Sequence, residues 1–121
     1  MLPNEKERLL TLFADQQRWC QDAEARDKTG EAVHYDDTSA VAWDITGAMC
    51  LLFGWQRALE LFPQLDRHVH QIKRSRWWIT DPGIASMAAL QDSNDEACMT
   101  FEMMTEWLKS MPAWNGHRQR S

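Results

Sequence analysis

Leu9, Phe13, Gln16 and Cys20 recur at helical spacing, with Leu10, Leu12 and Trp19 beside them. That stripe predicts an amphipathic first helix of about four turns. Asn4 followed by Glu7 is a capping-box pattern for its start, with Pro3 just outside. The pattern then changes over Ala25-Arg26-Asp27-Lys28-Thr29-Gly30-Glu31-Ala32-Val33. Asp27 at a turn start and Gly30 three residues on match a type I turn closed by a glycine at positive φ. A short β-hairpin or tight loop is expected there, and it would need a helix to pack on.

Thr38 and Ser39 are good N-caps for a second helix carrying Val41, Ile45, Ala48 and Leu52, widened by Ala42, Met49 and Phe53. Ile45 to Gln56 is uncharged, so this helix is expected to be the central buried one. Gly47 in its middle costs about 1 kcal/mol against alanine, which suggests that another backbone packs closely there. Gly54 is a natural stop. Ala58, Phe62, Leu65, Val69 and Ile72 continue at helical spacing across Pro63, predicting two helices with Pro63 in the first turn of the second, or one kinked helix. Asp81-Pro82-Gly83 has turn chemistry, Ile84 to Leu90 reads as a short helix, and Gln91 to Asp95 as a polar loop. Thr100 is placed to cap a last helix with the stripe Phe101, Met104, Leu108 and Met111, ended by Pro112. The sum is a mainly α, single compact domain of about five helices over 1–114, with one short β-hairpin or tight loop after the first helix. A flexible basic tail is expected over 115–121.

Composition narrows the class. Of 121 residues, 44% are hydrophobic and 26% charged, which suits one globular core. Thirteen basic against 18 acidic residues give a net charge of −5, which argues against a general nucleic-acid binder. The longest uncharged run is far shorter than the roughly 20 apolar residues of a membrane span. Asn4-Glu5-Lys6-Glu7-Arg8 lacks the apolar core of a secretion signal, and Cys20, Cys50 and Cys98 form no paired motif. A reducing cytoplasm is the expected setting, with the thiols as core filler. Seven tryptophans outnumber four phenylalanines, with Tyr35 the one tyrosine. So many indoles favour one exposed aromatic contact site and permit a homodimer through an indole patch.

No phosphate loop, nucleophile elbow or zinc helix is present, so no catalytic residue, metal site or cofactor is assigned. Four constellations remain. His34-Tyr35-Asp36-Asp37 sets an imidazole beside two carboxylates, either a general-base pair or half a metal site, or a polar loop before a helix. His68 and His70 are two apart and cannot share an ion on a helix. Arg67, His70 and Arg74 share a helix face, adjoined by Lys73, Arg76, Trp77 and Trp78. This is either a solvated face or a basic-aromatic patch. Asp44, alone in an apolar helix, needs a partner such as Arg26 or an indole N–H.

The motifs Trp19-x-Gln21-x-Ala23-x-Ala25-Arg26-Asp27-x-x-Gly30, Trp43-x-x-x-Gly47-Ala48 and Asn94-Asp95 before Thr100-Phe101-Glu102 together resemble a family. It is a domain-of-unknown-function family of small bacterial and phage proteins. Its recurring elements are Trp-x-Gln-Gly-Ala with Ala-Arg-Asp-x-x-Gly, Trp-Cys-x-x-Gly-Ala, and a late Trp-Asn-Asp before a Thr-capped helix. The likeness spans about Leu9 to Ser110, with extra residues around Ser75 to Ser86. Asp22 stands where the family has Gly, Asp44 where it commonly has Cys, and Ser93 where it has Trp. The resemblance implies a single bacterial or phage domain and no particular activity. It groups Trp19, Arg26, Asp27, Trp43, Asn94 and Asp95 as one cluster, either a polar knot under the hairpin or the floor of a pocket.

Functionally, the leading expectation is a non-enzymatic protein-binding module, such as a phage or mobile-element accessory that covers a host protein's surface. Asp15, Asp22, Glu24, Asp27, Glu31, Asp36 and Asp37 would face a basic partner, with Trp77, Trp78 and Arg74 as anchors. The alternative is a small-ligand or enzyme pocket built from His34, Asp36, Asp44 and Arg26. A third is nucleic-acid contact through Arg67, Arg74, Arg76, Trp77 and Trp78, which the overall acidity disfavours.

Overall fold

The computed structural model describes residues 1–69, 82–95 and 99–112. It contains helix α1 (Pro3–Leu12), a 3-10 turn at Gln16–Arg18, and strands β1 (Ala25–Asp27), β2 (Ala32–Val33) and β3 (Ala40–Trp43). Helices α2 (Ile45–Phe53), α3 (Trp55–Val69), α4 (Pro82–Asn94) and α5 (Phe101–Ser110) follow. The fold is mainly α, with one antiparallel sheet in the order β2-β1-β3.

Helix α2 is central: Ile45 through Cys50 are all buried, and α1, α3 and α4 pack around it. Leu9 and Phe13, then Leu61, Phe62 and Leu65 of α3, Leu90 of α4 and Met104 and Leu108 of α5 close the same apolar cluster. Full burial of such a side chain stabilises by roughly 1.5–3 kcal/mol. That shared core holds α1 and α5, each of ten residues and too short to persist alone in water.

Polar contacts fasten the helix ends. Lys6 Nζ donates to the carbonyls of Lys109 (2.7 Å) and Met111 (2.8 Å) at the C-terminal end of α5. Arg8 Nη2 donates to Leu52 O at 2.7 Å, which satisfies a carbonyl at the end of α2. Buried Glu5 receives Arg57 Nε at 2.7 Å and Nη2 at 2.9 Å, a bidentate bridge from α1 to α3.

Three glycine expectations and one cap expectation hold. Gly30 (φ +90°) closes the Asp27 turn, and Gly54 (φ +84°) ends α2. A Cβ on Gly47 would collide with the carbonyl oxygen of Glu24, so the backbone before β1 does pack directly on α2. Thr100 caps α5 by accepting from Met103 N at 3.1 Å.

Four boundaries differ from expectation. Leu2, not Asn4, is the N-cap of α1; Leu2 N–H donates to Glu5 Oε1 at 2.8 Å, and Pro3 takes the first helical position. The helix stops at Leu12, because the Asp15 carboxylate accepts from Gln17 N (2.9 Å) and draws the chain into the 3-10 turn. Residues 40–43 are strand β3 paired with β1, so Asp44 is the N-cap of α2 and not a residue within it. Thr38 and Ser39 lie in the preceding turn, where Asp37 Oδ1 accepts from Ser39 N (2.8 Å) and Oγ (2.7 Å). The supposed polar loop at 91–94 is the last turn of α4. Pro63 lies inside one helix, α3. The expected tail, 115–121, is outside the described residues.

Candidate functional site

A buried polar joint holds the sheet against the helices. Asn94, fully buried at the end of α4, accepts from Trp19 Nε1 (2.7 Å) and Ile45 N (3.3 Å). Its amide nitrogen donates to Cys20 O (3.1 Å) and to Asp95 Oδ1 (2.9 Å). Asp95 Oδ1 also accepts from Asp22 N at 2.9 Å, and Gln21 Nε2 donates to Asn94 O at 2.8 Å. Asp22 adopts φ +65°, the left-handed region that suits Gly, Asn or Asp. Cys20 N donates to Trp43 O at 3.1 Å, beside a parallel bridge between Trp19 and Trp43.

Arg26 and Asp27 shape the hairpin. Arg26 donates to Gly30 O (2.8 Å) and Gln21 O (3.0 Å), using its guanidinium on carbonyls. Asp27 Oδ1 accepts from Thr29 Oγ1 (2.6 Å), Thr29 N (2.9 Å) and Glu31 N (3.0 Å). The Thr29 hydroxyl, with backbone N–H groups, holds Asp27 below the usual carboxylate range, and the Ser39 N–H and hydroxyl do so for Asp37. Both therefore stay ionised.

Next to this joint is a cleft of about 360 Å³, lined by Glu24, His34, Tyr35, Thr46, Gly47, Cys50, Trp55, Met87 and Gln91. Glu24 precedes β1, and His34 and Tyr35 follow β2. Thr46 and Cys50 come from α2, Trp55 opens α3, and Met87 and Gln91 come from α4. Glu24 Oε2 accepts the Tyr35 N–H at 2.8 Å and lies 3.6 Å from His34 Nε2. His34 Nδ1 pairs with Asp36 Oδ1, and the imidazole lies 4.3 Å from the Tyr35 ring centroid at a tilt of 33°. The Asp36 hydrogen bond, reinforced by Glu24 and Asp37, raises the His34 pKa above its ordinary value.

Beneath the floor, Asp44 Oδ1 accepts from Gly47 N (2.6 Å) and Thr46 Oγ1 (3.0 Å), and Gln91 Nε2 donates to Thr46 Oγ1 at 3.3 Å. Burial, opposed by those two bonds and aided by Asp95 and Glu24, pushes the Asp44 carboxyl up to about 7. Burial pushes the Cys50 thiol up to about 12, with Glu24 and Asp44 adding to it.

The sequence-nominated residues thus divide. Trp19, Asn94 and Asp95 meet in the joint together with the Trp43 backbone, and Arg26 is linked through Gln21, whereas Asp27 serves the hairpin and the Trp43 indole the loop at Tyr35. His34 lines the cleft, and Asp36 is bound to it. Asp44 lies under Thr46, and Arg26 is turned to the hairpin, so neither lines the cleft. Asp22, Asp36, Asp37 and Arg67 are exposed, and Glu24 is half-buried. His70, Arg74, Arg76, Trp77 and Trp78 lie outside the described residues. Sequence reasoning missed Thr46, Trp55, Met87 and Gln91 as a group. Only Trp55, a large ring directly after the Gly54 stop, carried a local sign of exposure. No family model, curated protein or solved structure matches the chain.

Proposed function

We propose that the chain is a non-enzymatic protein-binding module that presents its sheet end and the adjoining cleft to a basic partner surface. The observation carrying this reading is the state of the carboxylates between Asp22 and Asp37. Asp27 and Asp37 are fixed by hydroxyl and backbone donors rather than by cations. Among the described residues, His34 is the one cationic side chain in an ion pair with this group, at Glu24 and Asp36. With six carboxylates against Arg26, Lys28 and His34, the segment keeps an excess of negative charge, which steers and orients a positive partner. Trp19, Gly30, Gly47 and Asn94 of the sequence motifs, and Asp22 beside them, are all occupied in shaping the joint and turns. That leaves the scaffold as their role.

The test is capture from bacterial lysate by the tagged chain, beside a variant carrying Asp22→Asn, Glu31→Gln and Asp36→Asn. Asn keeps the left-handed preference at 22, and Glu31 and Asp36 are exposed. A stoichiometric protein released by salt, and retained far less by the variant, is the expected result. Equal retention by both proteins would remove the electrostatic reading.

A further inference from the structure

We infer that the cleft receives a positively charged group on an apolar stem, a guanidinium or ammonium, with Glu24 as counter-charge and Trp55 and Tyr35 as aromatic walls. The inference deepens the binding-module reading, and rests on it, where the group is a partner's arginine or lysine. For a free amine it stands alone.

Charge is the first argument. Among the described residues the cleft lining contains a carboxylate and no lysine or arginine. Its one basic side chain, His34, is 59% exposed and tied to Asp36, so solvent screens it and it only partly offsets Glu24. An anionic ligand would meet Glu24. A cation meets the opposite field.

Glu24 is also oriented. The Tyr35 N–H holds one carboxylate oxygen without neutralising it. A guanidinium can add charge-assisted hydrogen bonds to such a group at little cost in side-chain ordering.

The walls supply the third argument. Trp55, 43% exposed, lines the cleft, and an indole face is the best cation–π partner among side chains. Met87 and the neutral Cys50 thiol offer apolar contact for a methylene stem. Gln91, whose amide nitrogen is given to Thr46, contributes its oxygen as a neutral acceptor.

The experiment is calorimetric titration of the full chain with three probes: a capped Gly-Arg-Gly tripeptide, the same tripeptide with citrulline for arginine, and butylguanidinium. The arginine tripeptide or butylguanidinium should saturate with a dissociation constant of about 1 mM or tighter. The citrulline tripeptide, equal in shape but uncharged, should bind at least tenfold more weakly. Glu24→Gln should weaken the cationic probe about tenfold or more and Trp55→Ala severalfold, while exposed Glu102→Gln on α5 changes nothing. Preference for the tripeptide assigns the group to a polypeptide, and preference for butylguanidinium to a small amine. Equal binding of the arginine and citrulline tripeptides, or no saturation by either cation at about 10 mM, overturns the inference. That comparison uses the unmutated chain, so it stands even if Glu24→Gln fails to fold. Failure here with salt-sensitive capture of a protein partner intact would overturn the cleft alone and leave the binding-module reading standing.

Discussion

Trp19 Nε1 donates to Asn94 Oδ1 at 2.7 Å, a bond between residues 75 positions apart that pins the start of the sheet segment to the end of α4. The same amide oxygen accepts the N–H of Ile45 at the start of α2, so three parts of the chain meet on one side chain. Asn94→Ala would strand the partly buried Trp19 indole N–H and the buried Cys20 carbonyl. Each orphaned group costs about 1–3 kcal/mol. We expect a loss of about 2–5 kcal/mol in urea unfolding, whereas Asp95→Asn, which keeps an acceptor for the Asp22 N–H, costs less than 1.5 kcal/mol on the scale of one neutral hydrogen bond.

Gly47 gives a prediction of opposite sign to helix propensity. Alanine should favour the helix by about 1 kcal/mol. Its Cβ would strike the Glu24 carbonyl, a backbone atom that also accepts the Asp44 N–H at 3.2 Å. Overpacking of this kind costs about 1–3 kcal/mol or more. Gly47→Ala should therefore lower the thermal midpoint, and an unchanged or raised midpoint would contradict the close packing.

Helices α1, α3 and α5 were readable because each presents an apolar stripe, and Gly30, Gly54 and Thr100 announced their turns and caps locally. Strand β3 was not readable. Val41 and Ile45 fall at helical spacing by coincidence, and pairing with β1, some 15 residues upstream, decides the backbone there. The end of α4 was hidden for a related reason. Ser93 and Asn94 look like loop residues, yet both are buried, and the bonds that make burial tolerable for Asn94 come from residues 19–21 and 45. His34 and Glu24 were legible as charged groups near a turn. The cleft around them was not, since its other walls come from three separate helices.

Asp44 links stability to pH. Its carboxyl is pushed up to about 7 in the folded chain, from about 3.8 when exposed. Between these values the folded state holds a proton that the unfolded state has released, so stability falls as pH rises from about 4 to about 7. Asp44→Asn keeps an N-cap acceptor for Gly47 N while removing the charge. Denaturant midpoints across that range should decline less for the variant than for the parent, and parallel curves would contradict the assignment.

Cys20 and Cys50 are buried, and burial pushes both thiols up to about 12. Nucleophilic attack needs thiolate, which is scarce at pH 8 for such groups. In a Cys98→Ser background the folded chain should react with a disulfide thiol reagent only as it unfolds. Rapid labelling of either thiol under native conditions would show the site to be more open than described.

The cleft itself is tested most directly by a heteronuclear NMR titration of the full chain with the capped Gly-Arg-Gly tripeptide. The account predicts saturable shifts concentrated on Glu24, Tyr35, Cys50 and the Trp55 indole N–H, and far smaller ones with the citrulline tripeptide at the same concentration. Shifts confined to residues outside the cleft, such as those around Lys6 and Lys109, or equal shifts with both tripeptides, would contradict it.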